Sequence, residues 1–255
     1  MDAEKYAPAI DLLVAAQKQG EDTFEVSELL VECYQQHVAK VSLLRKRGVG
    51  KKMKQAMEHS VALRPQDAGA RKRLIRFHLN APALGGGSKD EARRLIREFP
   101  GLSLSDVLVY EARVDQAEKN PKGAKAKLEK ALSLEPGHGD ALIMRGNMQI
   151  ADRAYGAAIA TFERCVETDP ENMGCHYLIG KVAHVGKVQV PKGIASLERF
   201  IAAGSDDKPL LAYAHYRLGE IHARKGDVSK ARKHLEQAVA INDVDKAKSA
   251  LKKLR

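Results

Sequence analysis

The sequence predicts an all-α fold of stacked antiparallel helix pairs, with a divergent helical part at the N-terminal end. Three observations predict it. Pro136 and Pro170 lie 34 residues apart, and small side chains recur at fixed offsets before each. The apolar content is 44 % and mostly Ala, Leu, Val and Ile, with no Trp and only 12 Phe or Tyr, enough for a core between closely packed helices. Gly (20) and Pro (9) are too few for a low-complexity chain, and no run approaches the length of a membrane span.

The elements follow in order. Residues 8–19 and 25–46 read as two helices separated by Gly20-Glu21-Asp22-Thr23. A helix ending at Pro65 carries Met53, Met57 and Ser60 on one face. Residues 68–80 (AGARKRLIRFHLN) form the next helix. A long turn, APALGGGS, leads to a helix over 89–99 with Ser88 as N-cap and Glu91 at the reciprocal capping position. Four units of about 34 residues come next. With the prolines set at position 32, position 8 holds Ala112, Gly146, Gly180 and Gly219; position 20 holds Ala124, Ala158, Gly193 and Ala231. Position 24 holds Leu128, Phe162, Leu197 and Leu235, and position 27 holds Ala131, Cys165, Phe200 and Ala238. Paired helices approach closely only where a small side chain faces the partner, and a larger residue beside it fills the gap. The segment 243–254, rich in Lys, Ala and Leu, covers the end of the array. The expected count is about fourteen helices without a sheet. The expected organisation is a divergent region over 1–100, four units over 101–242 and a capping helix over 243–255.

This pattern over residues 105–241 resembles the tetratricopeptide repeat family. The resemblance implies a right-handed superhelical array whose concave surface, lined by positions 2, 5, 9, 12 and 13 of each first helix, binds another protein or peptide. Here position 5 reads Val109, Ile143, Tyr177 and Tyr216; position 9 reads Arg113, Asn147, Lys181 and Glu220; Ile150 stands at position 12. Of the Lys and Asn residues with which one variant of the family grips a terminal carboxylate, only Asn147 matches, so that clamp is not expected. An apolar row beside a polar row suits an amphipathic helix or extended peptide, or a lipid-like ligand in a mostly apolar concavity. Packing of position 5 against the neighbouring first helix is the alternative.

The stretches VSLLRKRGVGKKMKQAMEHSVALRP, RFHLNAPALGGGSKDEARRL and YRLGEIHARKGDVSKARKHLEQAV are similar to bacterial repeat proteins exported to the cell envelope. That similarity implies a periplasmic or envelope setting. The opening MDAEKYAPAI lacks the apolar run of an export signal, which keeps the cytoplasm as the alternative.

The net charge of +10 is concentrated. Residues 40–97 carry 16 basic and 4 acidic side chains, whereas residues 1–39 carry 8 acidic and 2 basic. The acidic head and basic body either attract each other or face different partners. Arg45, Lys51, Lys52, Arg71, Arg73 and Arg76 are the candidates for steering an anionic partner, either an acidic protein or an anionic membrane surface. With only Phe77 interleaved and no reading motif, nucleic acid is not the expected partner.

No catalytic constellation emerges: HExxH, GxSxG and GxxxxGK[ST] are all absent. The string Arg45–Lys52 has glycines and lysines but neither a preceding strand nor a Ser or Thr after the lysine. Gly85-Gly86-Gly87 reads as a helix-to-helix turn. His176, His215 and His222 occupy positions where the family places half-buried aromatics, so a structural role is expected and neither a metal nor a cofactor is. Cys165 fills a small core position; a bridge to Cys175 is open in an oxidising compartment, and Cys33 has no evident partner. The sequence thus predicts a non-enzymatic scaffold for a partner protein, with an envelope carrier of a lipid-like molecule as the rival.

Overall fold

The structure, a computed structural model, describes residues 6–254, Leu43 by its backbone alone. The described residues form fourteen α-helices and no strand. By their contacts they divide into two compact units, one through Lys127 and one from Leu128.

The first unit holds α1 (Tyr6–Lys18), α2 (Phe24–Lys40), α3 (Leu43–Leu63), α4 (Ala68–Asn80), α5 (Lys89–Arg97) and α6 (Leu104–Ala117). Its core joins Ile10, Val31, Tyr34, Met57, Ile75, Ile96 and Val114. The helix expected over 25–46 is two helices: Val41 and Ser42 are extended, with ψ of 158° and 156°. Val41 donates back to His37, while the carbonyl of Ser42 accepts from Arg45 and Lys46 and opens α3. The sequence 45–52 is therefore helical. The helix expected over 89–99 ends at Arg97, and Phe99 turns into the core. Ser88 Oγ accepts from the Glu91 amide at 3.2 Å, so it caps α5. The Glu91 carboxylate does not complete the reciprocal cap; it pairs with Arg94.

Helix α7 (Pro121–Leu134) contains the division between the units. The second unit continues with α8 (Gly139–Ala151), α9 (Tyr155–Thr168), α10 (Met173–Gly186), α11 (Val190–Ala203), α12 (Lys208–Arg224), α13 (Val228–Asn242) and α14 (Asp245–Lys253). The close approaches expected from the spacing are present. A Cβ at Gly146 would lie 2.4 Å from the Phe162 ring, one at Gly180 would lie 2.2 Å from Leu197, and one at Gly219 would lie 2.6 Å from Leu235. Position 8 of α8, α10 and α12 thus sits on position 24 of α9, α11 and α13. Ala158, Ala231, Ala238 and Cys165 are buried. Cys165 and Cys175 form a disulfide joining α9 to α10, with Cα atoms 6.4 Å apart. The all-α array of helix pairs is thereby established.

Candidate functional site

The helices α10 and α12 create a face of stacked aromatic and cationic side chains. Each starts at a side-chain cap: Asn172 Oδ1 accepts from the Cys175 amide at 3.1 Å, and Asp207 Oδ1 from the Leu210 amide at 2.9 Å. These caps set where position 5 of each repeat falls. Tyr177 is buried, its ring 5.3 Å from that of Phe200 and surrounded by Leu197, Ala214 and Leu218. The Arg217 guanidinium lies over two rings, 5.0 Å from Tyr177 and 5.4 Å from Tyr213. Its Nη1 donates to the Tyr213 carbonyl at 3.0 Å, which holds the stack in place. Tyr213 meets Tyr216 edge-on at 6.1 Å, and Tyr216 meets His184 edge-on at 5.9 Å. Arg224 donates to the His184 carbonyl.

Burial, reinforced by Arg224, Arg217 and Lys246, lowers the His184 pKa to about 4, so its imidazole is neutral at pH 7. Burial also pushes the Tyr177 and Tyr216 hydroxyls up. The face therefore offers rings edged by the cations Arg217, Arg224 and Lys181, the last one turn beyond Tyr177, with the Glu220 carboxylate beside Tyr216.

Of the residues named for the groove, Tyr177, Lys181 and Tyr216 lie on these two helices. Tyr177 is buried and forms the floor; Tyr216 and Lys181 are half-buried. Ile143, Asn147 and Ile150 lie on α8, with Asn147 exposed and Ile150 packed on the core of α9 and α10. Val109 and Arg113 lie on α6 in the first unit, Val109 buried and the Arg113 guanidinium 5.9 Å from the Tyr110 ring. Sequence reasoning missed Tyr213, His184 and Arg217. Tyr213 stands at position 2 and His184 at position 12, so the same spacing held the signal; Arg217, at position 6, carried none.

The basic segment separates into engaged and unengaged cations. Arg64 pairs with Glu25 at 2.5 Å and Arg73 with Glu28, and His59 Nε2 is hydrogen-bonded to Asp22 Oδ1 at 2.6 Å. The acidic head and basic body do attract each other. Arg71 donates to the carbonyls of Pro65 and Glu98 and lies 5.4 Å from the Phe99 ring. Arg45, Lys51, Lys52 and Arg76 are exposed and have no ion pair with a described residue. Two clefts open to solvent flank this segment. One of about 530 Å³ is lined by Ile10, Tyr34, Lys52 and His59 among others. One of about 520 Å³ is lined by Met53, Met57, Phe77, Arg73 and Arg76 among others. Among the described residues no group of His, Cys, Asp or Glu is placed to hold a metal ion, and no helix is long and apolar enough to cross a membrane.

Tetratricopeptide repeat models match residues 111–172 and 212–245, the second coinciding with the fourth 34-residue unit. No curated protein matches the sequence. Solved structures share the fold. The human IFIT1 dimer with PPP-AAAA is similar at 17 % identity and a TM-score of 0.62, over 99 % of this chain and 60 % of that one. The Cut9-Hcn1 structure of the APC/C is similar at 14 % identity and a TM-score of 0.61, over 99 % of this chain and 46 % of that one. The chain thus spans about half the length of these two. YrrB, described as a TPR protein with an unusual peptide-binding site, is similar at 20 % identity and a TM-score of 0.53, over 79 % of this chain and all of that one. The fold is of the tetratricopeptide type.

Proposed function

We propose that the chain is a non-enzymatic scaffold that holds a segment of another protein against the α10–α12 face. The observation that carries this reading is Arg217 stacked between Tyr177 and Tyr213, with Tyr216 and His184 continuing the row. Stacked rings with fixed orientation present apolar area at little entropic cost. The cations at its edge favour a carboxylate beside the apolar anchor. The chemistry suits a segment in which an aromatic or large aliphatic side chain lies next to Asp or Glu. Proteins of this fold bind partners, and the peptide-binding site described for YrrB is consistent with such a role.

The test uses an array of random peptides probed with the intact protein, with affinities then measured by fluorescence anisotropy. Peptides with an apolar residue next to an acid are expected to be enriched. Lys181→Glu and Tyr213→Ser are each expected to weaken them about tenfold, roughly the loss of one good contact. Unchanged affinity in both variants, with helicity retained, excludes this face.

A further inference from the structure

We infer that the solvent face of the first turns of α3 docks on an anionic lipid surface. This site belongs to the first unit, whereas α10 and α12 belong to the second. Four cations on this side of the helix, Arg45, Arg47, Lys51 and Lys52, fall within eight residues, and all are exposed; Lys46, also exposed, takes the other side. None has an ion pair with a described residue, although elsewhere the basic segment is matched by Glu25, Glu28 and Glu118. Asp11 and Asp22 line the same cleft as Lys52 but form no ion pair with it.

Helical spacing aligns Leu44, Arg47, Gly48, Lys51 and Gln55 along one stripe, with Arg45 and Lys52 on its flank. Val49, Met53, Ala56 and Met57 take the opposite side, in the core. Leu44 is 93 % exposed. Gly48 is the second sign of an outside surface. A glycine inside a helix is unfavourable relative to alanine, and a Cβ at Gly48 would meet nothing within 4 Å. Gly50 differs, because its added Cβ would lie 3.3 Å from the Gly85 carbonyl oxygen, so packing explains it. No described residue explains Gly48. Its bare backbone at the centre of the cationic stripe lets a flat surface approach closely.

The composition favours lipid over protein. A protein interface is centred on buried aromatic or Arg anchors with apolar neighbours. This stripe has one leucine, no aromatic and no acid. A polybasic helix bearing a single apolar side chain matches the recognition of anionic headgroups, where cations hold the surface and the side chain enters the acyl boundary. Binding of this kind is peripheral and falls as salt rises.

Flotation of the full chain with vesicles tests this. Vesicles of phosphatidylcholine alone are compared with vesicles one third phosphatidylglycerol, at low and physiological salt. The protein is expected to float with the anionic vesicles, less so at higher salt, and not with the neutral ones. The variant R45E/R47E/K51E is expected to lose at least about tenfold in partitioning, since each cation strengthens binding several-fold. The variant L44S, which keeps every charge, is expected to lose about threefold or more. The control K122E/K125E/K130E changes net charge equally at exposed positions of α7 and is expected to remain within about twofold of the wild type. Thermal melts establish that each variant is folded. Equal flotation with neutral vesicles, no flotation, or equal loss in the control overturns the inference. So does binding to polyglutamate or polyadenylate without vesicle binding, which would make the stripe a protein or nucleic-acid site.

Discussion

Single glycines show how the same residue type serves opposite purposes in this chain. Gly146 and Gly48 both lie inside helices, and changing either to alanine adds one methyl group and the same helix propensity. At Gly146 the new Cβ would stand 2.4 Å from the Phe162 ring, in a buried contact. Gly146→Ala is expected to cost about 1–3 kcal/mol by overpacking. At Gly48 the space is empty, so Gly48→Ala is expected to gain about 0.5–1 kcal/mol. Urea unfolding of the two variants measures both, and shifts of the same sign would remove the distinction between a packing glycine and an approach glycine. Gly146 was legible in the sequence because the 34-residue spacing placed it on Phe162. Gly48 was not, because the degraded repeat of its helix assigns a contact to Met53, Met57 and Ser60 but none to Gly48, and its neighbours invited comparison only with phosphate loops. Tyr213 and His184 were legible through positions 2 and 12. Arg217 was not, because its role follows from the separation of two rings that only packing sets.

At the level of helices, spacing fixed faces better than ends. The break between α2 and α3 escaped the periodicity because Val41 and Ser42 interrupt the helix for only two residues. The histidines of α12 and α13 show what faces dictate. His215 and His234 bring their Nδ1 atoms to 3.1 Å, and His222 stacks on His234 at a centroid distance of 5.8 Å. One ring donates and the other accepts only while at least one of the pair is neutral. Burial, then His215, His222, Lys233 and Lys230, lowers the His234 pKa to about 4. Burial lowers His215 as well, and lowers His222 against the opposing pull of Asp227. An unfolded histidine titrates near 6.5, so between about pH 4 and 6.5 His234 holds more proton in the unfolded chain than in the native one. The contribution of neutral His234 to stability is therefore complete above pH about 6.5, declines as pH falls, and is gone below about 4. Thermal melts across that window are expected to show a falling Tm in the wild type and a shallower fall in His234→Gln. Parallel curves would mean that the stacked histidines do not set the acid sensitivity of this helix pair.

At the scale of the whole chain, the repeat register and the contacts divide the molecule differently. Register quality placed a boundary near residue 100, where the clear repeats begin, whereas the contacts divide inside α7. The reason lies in α6, whose Tyr110 and Val114 complete the core of the divergent helices although its sequence fits the repeat. A repeat motif records which residues a helix pair needs, and leaves open which neighbour receives its outer face. The second unit carries cores of its own around Phe162, Leu218 and Leu235, together with the Cys165–Cys175 bridge. Repeat arrays derive their stability from each unit and its nearest neighbour. Residues 121–255, beginning at the first residue of α7, are therefore expected to fold on their own, with a helical circular dichroism spectrum and a cooperative melt. This fragment keeps Tyr177, Tyr213, Tyr216 and Arg217 and lacks α3. It is expected to bind the selected peptides within about threefold of the full chain, a difference below 1 kcal/mol. It is also expected to stay unbound when mixed with anionic vesicles. Peptide binding lost in a folded fragment would mean that the α10–α12 face needs helices upstream of α7. Retained vesicle binding would move the lipid contact away from α3.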